Sequence, residues 1–106
     1  MAYVIQTTHR AVIGADTAIT LWVRDEAGKA DFGGTEEVPA VLSVEIRGYS
    51  YALPLETVAA ESVEAGKVTF TLTATFTDQK LAPGLFRLYV KDGTEVVATG
   101  LLEVVG

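Results

Sequence analysis

The segment Lys67–Val105, KVTFTLTATFTDQKLAPGLFRLYVKDGTEVVATGLLEVV, decides how this chain folds. In its first part Val68, Phe70, Leu72 and Ala74 alternate with Thr69, Thr71, Thr73 and Thr75. A period of two places one set in a core and the other outside, as in a half-buried strand. Ala82-Pro83-Gly84 makes a corner, after which Phe86, Leu88 and Val90 alternate with Leu85, Arg87, Tyr89 and Lys91. Asp92-Gly93 is expected to supply the positive φ values of a tight two-residue hairpin, and two short strands close the chain. Thr77–Leu81 leaves room for one helical turn before Pro83.

The same alternation recurs upstream. Residues 2–8 read as a strand that Ala11–Ile13 continues or leads away from, and Gly14-Ala15-Asp16 as a turn. Thr17–Arg24 places Ile19, Leu21 and Val23 on one face, with Ala18, Thr20, Trp22 and Arg24 on the other. Asp25–Glu37, containing Gly28, Gly33 and Gly34, reads as the longest polar loop. Leu42, Val44 and Ile46 alternate with Val41, Ser43, Glu45 and Arg47 in a further strand that Gly48 breaks. Tyr49–Leu55 reads as a weaker strand because Pro54 has no N–H for a ladder. Thr57–Val63 fits a short strand or a helical turn. No stretch carries a 3.6-residue period over helical length. These elements predict an all-β, immunoglobulin-like antiparallel β-sandwich of about 7–8 strands. Residues 1–13 form an amino-terminal arm or extra strand and residues 14–106 a single domain.

Composition narrows the function. Of 106 residues 49% are hydrophobic, a surplus for one small core that reads either as a surface partly covered by neighbours or as an ordinary monomer rich in Val and Ala. Eight basic and fourteen acidic residues give a net charge of −6, and the basic ones form no run or stripe. Nucleic acid and anionic membranes are therefore not expected partners. No cysteine is present, which removes disulfides and thiolate metal sites. The amino end has no secretory-signal pattern and no long apolar run could span a membrane, so the chain is expected to be the whole reading frame, made in the cytoplasm.

Catalytic chemistry is not legible. His9 is the single histidine and reads as a solvated or interface residue, and no serine sits in a nucleophile elbow. Asp25, Glu26, Asp31, Glu36 and Glu37 share the long loop, but they lack the alternating ligand pattern of a calcium site and Lys29 interrupts them. No cofactor, metal or small-molecule substrate is expected, and the chain is not read as an enzyme. Tyr49 and Tyr51 are expected on one strand face, as a stacking patch for sugar or protein or as cover for a sheet edge. Trp22, on the polar side of its strand, implies either a bulged register or a contact under a neighbour.

Several segments carry a family resemblance. They are Gly14-Ala15-Asp16-Thr17, Leu21–Gly28, Val44-Glu45-Ile46-Arg47, Gly66–Leu72, Leu81-Ala82-Pro83-Gly84-Leu85-Phe86, Asp92-Gly93 and Gly100–Val104. Together they resemble the immunoglobulin-like module of tailed-phage virion proteins, best known as the N-terminal domain of BppU-like baseplate upper proteins. Phe86 stands where that family commonly has tyrosine, leaving packing in place of a hydroxyl bond. The resemblance implies a structural protein of a phage or phage-like virion that binds other virion subunits. Capsid decoration, spike base and tail or baseplate adaptor are the roles it allows, with oligomers expected in the particle. Tyr3, Val4, Ile5 and Trp22 are the expected contact residues. The alternative is a carbohydrate- or receptor-binding β-sandwich module using Tyr49, Tyr51 and the acidic loop.

Overall fold

The computed structural model describes residues 3–4, 8–25, 28–29, 41–50, 52–64 and 67–106. In chain order these form β1 (Tyr3–Val4), β2 (His9–Val12), β3 (Thr17–Asp25), β4 (Gly28–Lys29), β5 (Ser43–Gly48), β6 (Leu55–Ala59), β7 (Ser62–Glu64), β8 (Lys67–Leu72), α1 (Ala74–Lys80), β9 (Gly84–Asp92) and β10 (Glu95–Val105). One sheet runs β1-β3-β8-β7, with β4 also paired to β3, and the other runs β2-β10-β9-β5-β6. This is the immunoglobulin-like arrangement of two facing sheets, with β6 as an extra strand beside β5. The first segment is shared between them. β1 pairs antiparallel with β3, whereas β2 pairs parallel with β10.

The alternating residues fill the space between the sheets. Ile19, Leu21 and Val23 of β3 and Val68, Phe70 and Leu72 of β8 meet Val44 and Ile46 of β5 and Phe86, Leu88 and Val90 of β9. Ala98, Leu102 and Val104 of β10, with Ala11 of β2, extend that layer. Each large aliphatic or aromatic side chain so buried stabilises the fold by ~1.5–3 kcal/mol relative to exposure. A bulge between Val96 and Ala98 absorbs Val97, so Ala98 faces Val90 inside while Val96 faces Lys91 outside.

The structure departs from the sequence reading at three places. Ala74 does not continue the β8 alternation. Thr73 caps α1 instead, its Oγ1 accepting the Phe76 N–H at 3.1 Å, and the helix turns through Lys80 rather than for a single turn. Phe76 packs on the core and the Thr77 side chain is fully buried. The Thr77 hydroxyl accepts the Gly14 N–H at 3.0 Å and donates to the Ala74 carbonyl at 3.0 Å, while Asp16 Oδ1 accepts the Ala74 N–H at 2.7 Å. The helix is thus tied to the β2–β3 turn, which no local pattern encodes. The hairpin, second, has Gly93-Thr94 rather than Asp92-Gly93 at its tip: Asp92 faces Glu95, and Gly93 has φ +62° while among the described residues no non-glycine has positive φ. That is the glycine-first form of the two-residue turn.

Third, the expected strand Tyr49–Leu55 is mostly a turn. β5 ends at Gly48, the chain bends, and only Leu55 belongs to β6. Leu53 folds back onto Gly48 and Gly84, both of which present bare backbone there. A Cβ placed on Gly48 would lie 2.3 Å from the Leu53 Cβ. The Leu53 N–H donates to the Ser50 carbonyl at 3.0 Å, Gly48 N–H to the Pro54 carbonyl at 3.3 Å, and Tyr49 N–H to the Leu85 carbonyl at 3.1 Å. Packing of one leucine against two glycines therefore outweighs the β-propensity of Tyr49. Thr57–Val63 is divided between β6 and β7, so the chain changes sheet within it.

Candidate functional site

The outer face of the β2-β10-β9-β5-β6 sheet gathers most of the charged and aromatic side chains that the described residues bring together. Register explains the gathering. Glu45 and Arg47 point outward from β5; Leu85, Arg87, Tyr89 and Lys91 point outward from β9. Pairing sets Arg47 opposite Arg87, Glu45 opposite Tyr89 and Ser43 opposite Lys91. On the flanks Leu55 of β6 sits opposite Arg47, and Leu101 of β10 opposite Arg87. One row across the sheet is therefore aliphatic, cation, cation, aliphatic.

Two like charges in direct cross-strand register oppose pairing by ~0.2–1 kcal/mol. Local partners divide the pair. Arg47 Nη2 donates to Glu45 Oε1 at 3.0 Å, and its guanidinium lies 5.8 Å from the Tyr89 ring centre. Glu45 is largely buried and also takes Lys91 Nζ on its other oxygen at 3.3 Å. Arg87 turns the opposite way, donating to the Tyr49 hydroxyl at 2.7 Å from Nη2 and lying 4.9 Å from that ring centre. Its hydrogen bond to Tyr49, then that to Tyr89, raises the Arg87 pKa, so it stays a cation at any physiological pH. Among the described residues Arg87 reaches no carboxylate, since the salt bridges there join Arg10–Glu103, Arg47–Glu45 and Lys91–Glu45.

Leu53 connects this surface to the fold. By seating on Gly48 and Gly84 it bends the chain so that Tyr49 arrives over Arg87. Leu55, Leu85 and Leu101 remain exposed around the charged centre. An aliphatic rim around cations and tyrosines resembles the make-up of protein-binding patches more than that of a reaction centre.

The expected contact residues fall elsewhere or beyond view. Trp22 lies on the outer face of the opposite sheet, 48% exposed, in an unbroken β3–β8 register, so no bulge turns it. Lys67, its cross-strand neighbour, places Nζ 5.6 Å from the indole centre. Tyr3 and Val4 pair through their backbones with Arg24 and Val23, their side chains lying outside the described residues, as does Ile5. Tyr51 also lies outside them, so of the expected Tyr49–Tyr51 pair only Tyr49 is placed. One face of the Tyr49 ring is covered by Arg87 and one face of the Tyr89 ring by Arg47. The acidic loop lies outside the described residues except for Asp25, Gly28 and Lys29. Among the described residues no group of three or more His, Asp or Glu side chains could hold a metal. No helix there is long and apolar enough to cross a membrane. Reading the sequence missed Arg47, Arg87, Tyr89 and Lys91 as a group. The available signal was Glu45-x-Arg47 and Arg87-x-Tyr89-x-Lys91, whose period of two puts each set on one outward face.

Fold and surface together define an immunoglobulin-like β-sandwich with a cation–aromatic outer face. No family model matches the chain, and no curated protein matches it. Among solved structures it is similar to the β-glucosidase of Listeria innocua in complex with glucose, at 22% identity and a TM-score of 0.50. The structure of that enzyme without a named ligand gives 21% identity and a TM-score of 0.50. In both comparisons the match covers 100% of this chain and 16% of the enzyme, and at that identity the likeness is one of fold.

Proposed function

We propose that this chain is a non-enzymatic assembly module of a phage or phage-like virion, which holds neighbouring protein subunits through the outer face of its β2-β10-β9-β5-β6 sheet. The observation that carries the reading is the row Leu55, Arg47, Arg87 and Leu101, where two cations stand side by side between exposed aliphatic side chains. Like charges in register weaken the sheet, a cost that the local bonds of Arg47 to Glu45 and of Arg87 to Tyr49 offset only in part. A partner that brings complementary groups turns the same row into binding energy. The virion setting rests on the sequence resemblance from Gly14 to Val104, and the hydrophobic share of 49% fits a subunit covered by others.

The test is sedimentation of the tagged native protein from its own host through a density gradient. The proposal expects it in the particle fraction with identified capsid or tail proteins, at fixed stoichiometry. Recovery only as a free protein, with no virion protein beside it, contradicts the proposal.

A further inference from the structure

Charge on this molecule is unevenly placed. Among the described residues the outer face of the β2-β10-β9-β5-β6 sheet carries the basic residues Arg10, Arg47, Arg87 and Lys91 against the acidic residues Glu45 and Glu103. Glu45 is already shared between Arg47 and Lys91, and Glu103 is engaged by Arg10 at 3.2 Å. Counted over the described residues this face is cationic, on a chain of net charge −6. Arg87 holds only tyrosine hydroxyl among the described residues, and its direction is fixed by two donations to Tyr49, at 3.3 Å from Nε and 2.7 Å from Nη2. A fixed guanidinium accepts a carboxylate with less loss of freedom than a mobile one.

We infer that the Arg47–Arg87 row is a docking site for an acidic protein segment, one that presents carboxylates to the two guanidiniums and aliphatic side chains to Leu55 and Leu101. This rests on reading the face as a protein-docking surface and adds the chemistry of the partner. Carboxylates match arginine in charge and in planar geometry, and each such bond is stronger than a neutral one. The aliphatic rim selects a polypeptide over an acidic sugar, whose hydroxyls would leave Leu55 and Leu101 unmatched. The Tyr49 and Tyr89 rings, each covered on one face by arginine, offer less stacking area to a sugar.

The experiment is fluorescence anisotropy of the intact chain with a fluorescein-labelled heptapeptide of alternating leucine and glutamate. Its leucine–glutamine counterpart and labelled hexagalacturonate are measured alongside. Saturable binding of the glutamate peptide with Kd below about 1 mM at low salt is expected, weakening as salt rises. Arg87→Gln should weaken it about tenfold and Arg47→Gln/Arg87→Gln further, while Lys80→Gln on the exposed end of α1 leaves it unchanged. Circular dichroism and urea midpoints confirm that each variant is folded. No saturable binding, equal binding of the glutamine peptide, insensitivity to the double substitution, or tighter binding of hexagalacturonate would each overturn the inference. Particle association of the wild-type protein alongside any of those outcomes would leave the assembly role standing and remove only the acidic partner.

Discussion

Gly48→Ala is the substitution whose effect the structure specifies most narrowly. The added Cβ would sit 2.3 Å from the Leu53 Cβ and 3.3 Å from its Cα, so rotating the leucine cannot relieve the contact. The Tyr49–Pro54 turn must lift. Overpacking of this kind costs ~1–3 kcal/mol. Loss of part of the Leu53 burial adds to it, and a total of about 2–3 kcal/mol is expected. In a domain of this size that corresponds to a fall in Tm of roughly 10–20 °C. Urea unfolding followed by circular dichroism measures it. Leu53→Gly removes the Cβ that clashes, so Gly48→Ala/Leu53→Gly should be more stable than the sum of the single effects by ~1–2 kcal/mol. A Gly48→Ala protein within ~0.5 kcal/mol of wild type, or a strictly additive pair, would refute the account of how this turn is held.

Three further outcomes follow from the same geometry. Thr77→Val leaves the Gly14 N–H and the Ala74 carbonyl without the hydroxyl that joins them and should cost about 1–3 kcal/mol, whereas Thr77→Ser should lose only ~1 kcal/mol for its methyl; urea midpoints of the two variants decide it. His9 is partly buried on β2 and its pKa is lowered by desolvation below the ordinary 6.5, so the unfolded chain binds the proton more readily than the fold. Its stabilising effect is complete above about pH 6.5 and is lost as the pH falls from there through the folded value, so His9→Gln should flatten the dependence of Tm on pH in that window. Deleting residues 1–9 should abolish incorporation into particles if those residues act as a docking arm, and unchanged incorporation in the gradient would dismiss that role.

The strands were legible because their burial is periodic. Ile19, Leu21, Val23, Val44, Ile46, Phe86, Leu88 and Val90 all face the core as their alternation requires. Elements set by contacts distant in sequence were not. Thr73 belongs equally to an alternating strand and to a helix cap, and the partly buried Thr77–Gly14 bond, 63 residues apart, favours the helix. Tyr49 has strand propensity, yet Leu53 has a seat on Gly84 that only the folded sheet creates. The Arg47–Arg87 row likewise depends on the β5–β9 register, which each strand read alone leaves open. Trp22 was legible as an outward residue, and its cation–π neighbour Lys67 was not, because the pair spans two strands.

If the paired arginines are the groups that engage a partner, reversing their charge must release the protein from it. Arg47→Glu/Arg87→Glu, expressed from the native locus, should remain folded, since both side chains are exposed, while sedimenting free of the particle fraction that holds the wild-type protein. A folded double variant that still enters particles at wild-type stoichiometry would contradict that engagement.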